Sequence, residues 1–273
     1  IERSGELKKY LKKKFKNNEG ITLAVSHGSR TQLVAAKGLK IRSLLMMDYE
    51  YTETRIFNRY ADHILVPDLI PSSRLSSSGI NLKKVIRYSG FKEELYLGTF
   101  NADKNFRNKL GIDEDTVLVV IRPPGMLGNY HDKRSEELLI DAIEHFASAE
   151  NCIMLITSRS KKDRDLINKN VKSKNKLHFL EKAVHTLQLV NAADIVLSGG
   201  GTMNRESALI GTGTYSIFTG KRPYLDEHLA SLGRLTFINS KEDILQIKVE
   251  RAREKVPYGY NLNIVNEVTD IIV

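Results

Sequence analysis

The chain carries a single cysteine, so no disulfide framework holds it together, and it suits a reducing compartment. That residue, Cys152, lies in the apolar run Cys152-Ile153-Met154-Leu155-Ile156 and reads as core rather than as a nucleophile. No apolar stretch approaches the ~20 residues that span a bilayer as a helix. No secretory leader is legible, and a chain that begins with Ile reads as a fragment. Two familiar phosphate signatures are missing as well. No Gly-Lys-Ser/Thr follows a glycine-rich turn, and no Gly-x-Gly-x-x-Gly occurs. With no recognised nucleic-acid module and no aromatic-basic platform, nucleic acid is not an expected partner.

What is present is ample for two ordinary domains. The chain has 273 residues, of which 41% are hydrophobic and 27% charged, the composition of a globular protein. The net charge of +9 is concentrated early, in Lys8, Lys9, Lys12, Lys13, Lys14 and Lys16. These lysines interleave with Leu7, Tyr10, Leu11 and Phe15 at helical spacing, so the segment is an amphipathic helix with a basic face. A solvated face is its first reading. Attraction to an anionic membrane surface or to acidic substrates is the second, and nucleic-acid binding the third.

From there helix and strand patterns alternate. Strands are expected at Ile21–Val25, Lys40–Met47, His63–Val66 and Lys84–Arg87, with helices at Leu33–Ala36 and Thr52–Tyr60. A second run begins near Asp115. Its strands are Val117–Ile121, Cys152–Thr157, Leu177–Phe179, Ile195–Leu197, Thr214–Phe218 and Leu235–Ile238. Helices fall between them, a long helical pattern covers Lys241–Lys255, and an apolar helix closes the chain over Leu262–Val273. Continuous apolar strands separated by helices indicate parallel sheets covered on both faces. The expected architecture is α/β, with two doubly wound Rossmann-like domains facing a cleft at the carboxyl ends of their strands. Residues 1–100 are expected to form the first domain and residues 101–256 the second. The tail helix, 257–273, crosses back to the first domain.

Within the second domain one stretch stands apart. From Ile195 an apolar run reaches Ser198, continues as Gly199-Gly200-Gly201, and turns into a helical pattern from Thr202 to Gly211. A strand that enters a helix through a loop nearly without side chains lets backbone N–H groups approach a ligand. The helix amino terminus that follows favours negative charge. Phosphate or diphosphate is the ligand such a turn suits; the plain alternative is a tight turn with an acidic first helical turn. Thr202 is expected to cap the helix.

The same residues, Ser198 to Gly211, resemble the second-domain signature of the GT-B glycosyltransferase superfamily, which includes the non-hydrolysing UDP-N-acetylglucosamine 2-epimerases. Closer still is a largely uncharacterised archaeal and bacterial family of that superfamily. Its pattern includes Gly-Gly-Thr-Met-x-Arg-Glu-Ala-Ala, found here over Gly200–Ala208; Tyr-x-Gly-x-Lys-Glu, matched by Tyr88–Glu93; and Arg122-Pro123. The resemblance covers nearly the whole chain, and it implies that about two initial strands of the first domain are missing.

Carried over, the resemblance assigns Ser198, Gly199, Gly200, Gly201 and Thr202 to a diphosphate cradle and Glu206 to the ribose hydroxyls. A carboxylate offers two acceptor oxygens for that task. Arg122 would neutralise phosphate charge, its alternative being a surface ion pair. Arg205 is a phosphate accessory or a packing residue, and Lys221 and Arg222 are further candidate contacts. In the first domain His27, Asp48 and Glu50 follow strand ends, where acid–base groups belong. His27 also reads as a turn residue and Glu53 as a helix-start acid. The epimerase context is altered at Ile121-Arg122-Pro123-Pro124.

The resulting expectation is an enzyme that transfers a sugar from a UDP-sugar to a glycan or lipid-linked acceptor. A UDP-N-acetylhexosamine 2-epimerase and a non-catalytic anion- or nucleic-acid-binding protein are the alternatives. UDP-sugar is the substrate, no metal or cofactor is expected, and a homodimer and a cytoplasmic location, peripheral at the inner membrane face, complete the expectations.

Overall fold

The computed structural model describes residues 2–15, 20–125, 132–158, 160–252 and 254–273. The chain divides into two compact units, the first comprising Ile1–Gly98, Pro223–Leu225 and Tyr260–Val273, the second Thr99–Arg222 and Asp226–Gly259. Lys16 lies outside the described residues.

The first unit opens with α1 (Glu2–Lys14) and continues through β1 (Leu23–His27), α2 (Arg30–Leu39), β2 (Arg42–Met46), α3 (Thr54–Tyr60), β3 (His63–Pro67), α4 (Ser72–Ser77), a 3-10 turn (Leu82–Lys84), β4 (Val85–Tyr88) and α5 (Glu94–Leu97). Its four strands are parallel and lie in the order β1-β2-β3-β4. Leu44, Leu45, Ile64, Leu65 and Val66 are buried, as expected where helices cover both faces of a parallel sheet. Leu11 of α1 packs with Ala36, Leu39 and Ile41. Tyr10, grouped by spacing with that apolar face, is instead exposed, and the ammonium of Lys14 lies 5.7 Å from its ring centroid. An aromatic ring with a polar tip tolerates such a place better than Leu11 would.

In the second unit α6 (Phe106–Lys109) leads into β5 (Val117–Arg122), α7 (Lys133–Ser148), β6 (Cys152–Ile156), α8 (Lys161–Asn170), β7 (Leu177–Phe179), α9 (Thr186–Ala192) and β8 (Ile195–Ser198). Then come α10 (Thr202–Ile210), β9 (Gly213–Ser216), α11 (Tyr224–Ser231, whose first two residues count with the first unit), β10 (Thr236–Phe237) and α12 (Lys241–Leu245), while α13 (Ile264–Ile272) packs in the first unit on Leu44, Leu65 and Tyr88. The six strands are all parallel, in the order β10-β9-β8-β5-β6-β7. From β5 the chain winds outward through β6 and β7, then returns to β8 and winds the other way. The β5/β8 boundary is therefore the topological switch point, where the flanking loops part and a crevice opens at the strand carboxyl ends.

The helix expected over Lys241–Lys255 ends at Leu245. Beyond it, tertiary bonds take the backbone instead: the Ala252 N–H and the Arg251 guanidinium both bind Asp194, and Lys255 donates to the carbonyls of Asn191 and Ala193. Such bonds outweigh a weak helical periodicity. Helices α4, α5 and α6, each only four to six residues long, are too short for apolar periodicity to reveal. Among the described residues no helix is long and apolar enough to cross a membrane.

Candidate functional site

Two groups of side chains gather at strand carboxyl ends, one in each unit.

In the second unit the site begins where β8 stops. Arg122, the last residue of β5, is the register partner of Ser198, the last of β8, so both stand at the switch point. The three glycines that follow each have their own reason to be glycine. A Cβ on Gly199 would lie 2.4 Å from the Cα of Pro124, a backbone atom that cannot swing aside. Gly200 and Gly201 have φ of 97° and 91°, conformations an L side chain adopts only with strain. Space over Gly201 is open, with nothing within 4 Å of a Cβ placed there. Gly201 rather than Thr202 is the N-cap, and Thr202 is the first helical residue. The expected side-chain cap is thus corrected: the positive φ that ends the turn demands glycine at the capping position.

Beneath this turn lies a buried polar network. Ser198 Oγ accepts from the Gly200 N–H at 3.1 Å and donates to Asn204 Oδ1 at 2.6 Å. The Asn204 amide donates in turn to Ser216 Oγ at 3.0 Å and to Asp226 Oδ2 at 3.2 Å. Asp226 Oδ1 meets the Arg205 guanidinium at 3.2 Å, with side-chain exposures of 1% and 4%. Arg205 therefore stands under the turn rather than over it. A network whose members are each satisfied rigidifies the loop it supports. Glu206, one residue on, is 8% exposed. Arg222 is engaged elsewhere, its guanidinium 4.1 Å from the Phe237 ring centroid and bonded to Asn239.

Beside the turn a cleft of about 300 Å³ is lined by Arg122, Thr157, Leu180, Val184, Leu189 and Met203, among others. Glu181, Lys182 and Ser158 line it too, so its walls are mixed, and Met203 on α10 joins them to the turn. Asp113-Glu114-Asp115 and Asp163-Arg164-Asp165 carry Asp-x-Asp spacing, but the first precedes β5 and Asp163 is bound into a capping box with Ser160. Among the described residues no group of three or more His, Cys, Asp or Glu side chains is arranged to hold a metal.

In the first unit, His27 ends β1 and Asp48 follows β2. The structure brings them together, with His27 Nε2 3.0 Å from Asp48 Oδ1. An ionised carboxylate only accepts, so Nε2 carries the proton and Nδ1 is the basic nitrogen of the neutral ring. On its other oxygen Asp48 meets Lys92 Nζ at 2.8 Å, and Lys92 lies 3.5 Å from Glu93 Oε1. Only His27 of the four is substantially exposed, at 44%, against 8%, 14% and 0% for Asp48, Lys92 and Glu93. Glu50 follows β2 as Asp48 does. It is fully buried and accepts the Tyr224 N–H at 2.9 Å.

Lys92 and Glu93 belong to the Tyr88–Glu93 pattern, from which the sequence alone assigns them no role. Gly90, with φ of 88°, makes the turn that brings them round, its N–H bonded to Asp68 Oδ1. Asn204 and Asp226 carried no local signal, because they meet across 22 residues of chain.

Comparison with known proteins gives this geometry a setting. Uncharacterized protein MJ0665 of Methanocaldococcus jannaschii is 24% identical over 216 residues, 77% of this chain; the chain spans 61% of that relative. Among solved structures, the UDP-GlcNAc 2-epimerase of Neisseria meningitidis bound to UDP-GlcNAc matches with a TM-score of 0.71 at 14% identity, over 99% of this chain and 80% of that one. The Methanocaldococcus jannaschii UDP-GlcNAc 2-epimerase, in complex with UDP-GlcNAc and UDP, gives 0.70 at 15% identity, over 99% and 79%. Anabaena Alr3699/HepE in complex with UDP-glucose gives 0.57 at 14% identity, over 98% and 72%. At such identities the likeness is one of fold, and it is the fold of UDP-sugar enzymes of the GT-B and epimerase type. The model of a protein family of unknown function, DUF354, matches residues 6–273, and the chain belongs to that family.

Proposed function

We propose that the chain binds a UDP-sugar through its second unit and transfers the sugar to a glycan or lipid-linked acceptor. The observation that carries this reading is the glycine turn at the switch point, closed on Pro124 at Gly199 and open at Gly201, beside a cleft of mixed polar and apolar lining. The diphosphate would lie over Gly200 and Gly201, against the amino end of α10, where backbone N–H groups and the helix dipole meet negative charge. Arg122 would add a cation and Glu206 would accept from the ribose hydroxyls. The cleft lined by Leu180, Val184 and Met203 has the walls to receive a flat base. Fixed donors aimed at the diphosphate stabilise the charge that develops on the leaving UDP without calling for a metal or other cofactor. The acceptor hydroxyl must lose its proton, and His27, held by Asp48, is the group proposed to take it.

Solved neighbours that include 2-epimerases favour a second reading, epimerisation of a UDP-N-acetylhexosamine. That reaction requires two acid–base groups at the sugar C2. In the first unit's cluster only the His27 side chain is more than a third exposed, which suits a step with one base. Incubating UDP-GlcNAc without acceptor separates the two readings: a C2 epimer in the product establishes the isomerase, and inertness with added acceptor turnover establishes transfer.

Calorimetry tests the shared premise. UDP should bind the full-length protein, and Glu206→Ala should weaken it about tenfold to a hundredfold, the loss of hydrogen bonds to a charged acceptor. Absence of any UDP heat from the folded full-length protein removes both enzyme readings.

A further inference from the structure

Under the glycine turn, Asn204 takes no part in the contacts proposed for the nucleotide. It stands at the one open position of the Gly-Gly-Thr-Met-x-Arg-Glu pattern, and it is fully buried. The direction of its amide is fixed from below. An ionised carboxylate only accepts, so Asp226 Oδ2, at 3.2 Å, takes the amide nitrogen, and the amide oxygen is left to face Ser198. That orientation sets the Ser198 hydroxyl, which donates to Asn204 Oδ1 at 2.6 Å and turns a lone pair to the Gly200 N–H at 3.1 Å. The Asn204 nitrogen also reaches the neighbouring strand. It donates at 3.0 Å to Ser216 Oγ, the register partner of Ser198 at the end of β9, and that oxygen accepts the Phe218 N–H at 3.4 Å. Phe218 in turn packs on the turn, its Cγ 3.2 Å from the place a Cβ on Gly200 would take. Two lines of contact therefore run from Asn204, one through Ser198 and one through Ser216, and both end on Gly200.

This arrangement decides which N–H groups a phosphate can meet. The Gly199 N–H is bonded to the Arg122 carbonyl at 3.1 Å and the Gly200 N–H to Ser198 Oγ, so both are directed into the protein. We propose that Asn204 is the positioning residue of the nucleotide site: it holds the Gly200 N–H inward, so that the diphosphate is met by the Gly201 N–H at the amino end of α10. The proposal deepens, and rests on, the reading of the second unit as a UDP-sugar site. A run of three glycines has no side chains to restrain its peptide planes, and each glycine is permissive toward rotation. Without the Asn204 amide, the Ser198 hydroxyl loses the acceptor that orients it and Ser216 loses a donor. The Gly200 peptide then samples other orientations, and the Gly201 N–H no longer waits in one place for the phosphate.

The sequence offers a direct test. Consecutive glycines occur only at Gly199–Gly201, so protein made with glycine labelled at both nitrogen and carbonyl shows just the Gly200 and Gly201 amides in a carbonyl-filtered NMR spectrum. Gly201→Ala leaves the Gly200 signal alone and so assigns the pair. In the native protein the Gly200 amide should exchange slowly with solvent and hold its position as UDP is added, while the Gly201 amide shifts. Asn204→Ala should lose about tenfold in affinity for UDP and less than about twofold for uridine, because only the phosphates depend on the turn. In that variant the Gly200 amide should exchange faster and respond to UDP. A folded Asn204→Ala protein that keeps native UDP affinity, or that loses UDP and uridine by the same factor, overturns the proposal. So does a native Gly200 signal that moves with UDP as far as the Gly201 signal, which decides the matter even where Asn204→Ala does not fold. A native protein that binds no UDP removes the nucleotide reading and this proposal together, whereas the other outcomes remove the proposal alone, so the two failures are distinguishable.

Discussion

Replacing Asp194 by Ala should lower the free energy of unfolding by about 3–5 kcal/mol, the cost of stripping the partner from a buried charge. Asp194 precedes β8, and its side chain is 1% exposed. Its oxygens accept from the Leu118 N–H at 2.8 Å and the Ala252 N–H at 3.0 Å, and they meet the guanidinium groups of Arg107 and Arg251. Truncation takes the buried carboxylate from two backbone donors and from two cations, leaving the exposed Glu114 as a carboxylate those cations share, and it unties the segment after α12 from the strand ends. Asp194→Asn keeps one acceptor and should fall between native and Ala. Urea unfolding followed by circular dichroism measures both, and a loss below about 1 kcal/mol for Ala would show that the cluster is replaceable by water. The same cluster has a pH signature. Burial pulls the Lys255 ammonium down from its ordinary 10.5 to about 8. Between those values the unfolded chain holds a proton that the folded one has released, so this residue's contribution to stability rises with pH across that window. Below pH 8 both states are protonated there and the burial cost stands in full. Lys255→Met should remove this slope.

How much of this was legible follows from which interactions are local. The strands β5, β6 and β8 could be read because their residues are apolar without interruption, and burial on both faces requires that. The glycine turn could be read because Ser198–Gly201 lies between such a strand and a helical pattern, all within one short stretch. Arg122 followed from its place at a strand end. What could not be read was long-range. Nothing near Asp194 says that Arg107 and Arg251 converge on it from opposite ends of the unit, and nothing near Asn204 points to Asp226. The same limit explains the tail: periodicity over Lys241–Lys255 suggests helix, but the bonds that straighten it come from Asp194 and from the end of α9. For the first unit the strand ends nominated His27, Asp48 and Glu50 alike, and only the folded chain separates an exposed ring from a fully buried carboxylate.

Gly199→Ala should abolish UDP binding, with a loss of at least about a hundredfold, because it moves the turn on which the nucleotide site is proposed to rest. The new methyl would lie 2.4 Å from Pro124 Cα and 2.8 Å from Pro124 N, and neither atom belongs to a side chain that can rotate away. The clash is relieved only if the turn withdraws from the end of β5. That withdrawal breaks the 3.1 Å bond from the Gly199 N–H to the Arg122 carbonyl and carries Gly200, Gly201 and the first turn of α10 with it. Overpacking of this kind costs about 1–3 kcal/mol, so the melting temperature should fall by several degrees while the fold persists. Gly201→Ala provides the contrast. Its methyl meets nothing within 4 Å, yet its backbone, at φ 91° and ψ −158°, is open only to glycine and would cost about 1–3 kcal/mol in strain. The two variants should therefore lose similar stability for different reasons. If the turn merely joins a strand to a helix, stability is all that either variant loses. If it cradles a diphosphate, Gly201→Ala also places a methyl in the open space where the phosphates approach, and UDP affinity falls more than the stability loss explains. Calorimetric titration of both proteins with UDP, beside their thermal melts, decides the point: native affinity in a folded Gly199→Ala protein would remove the glycine turn from the site.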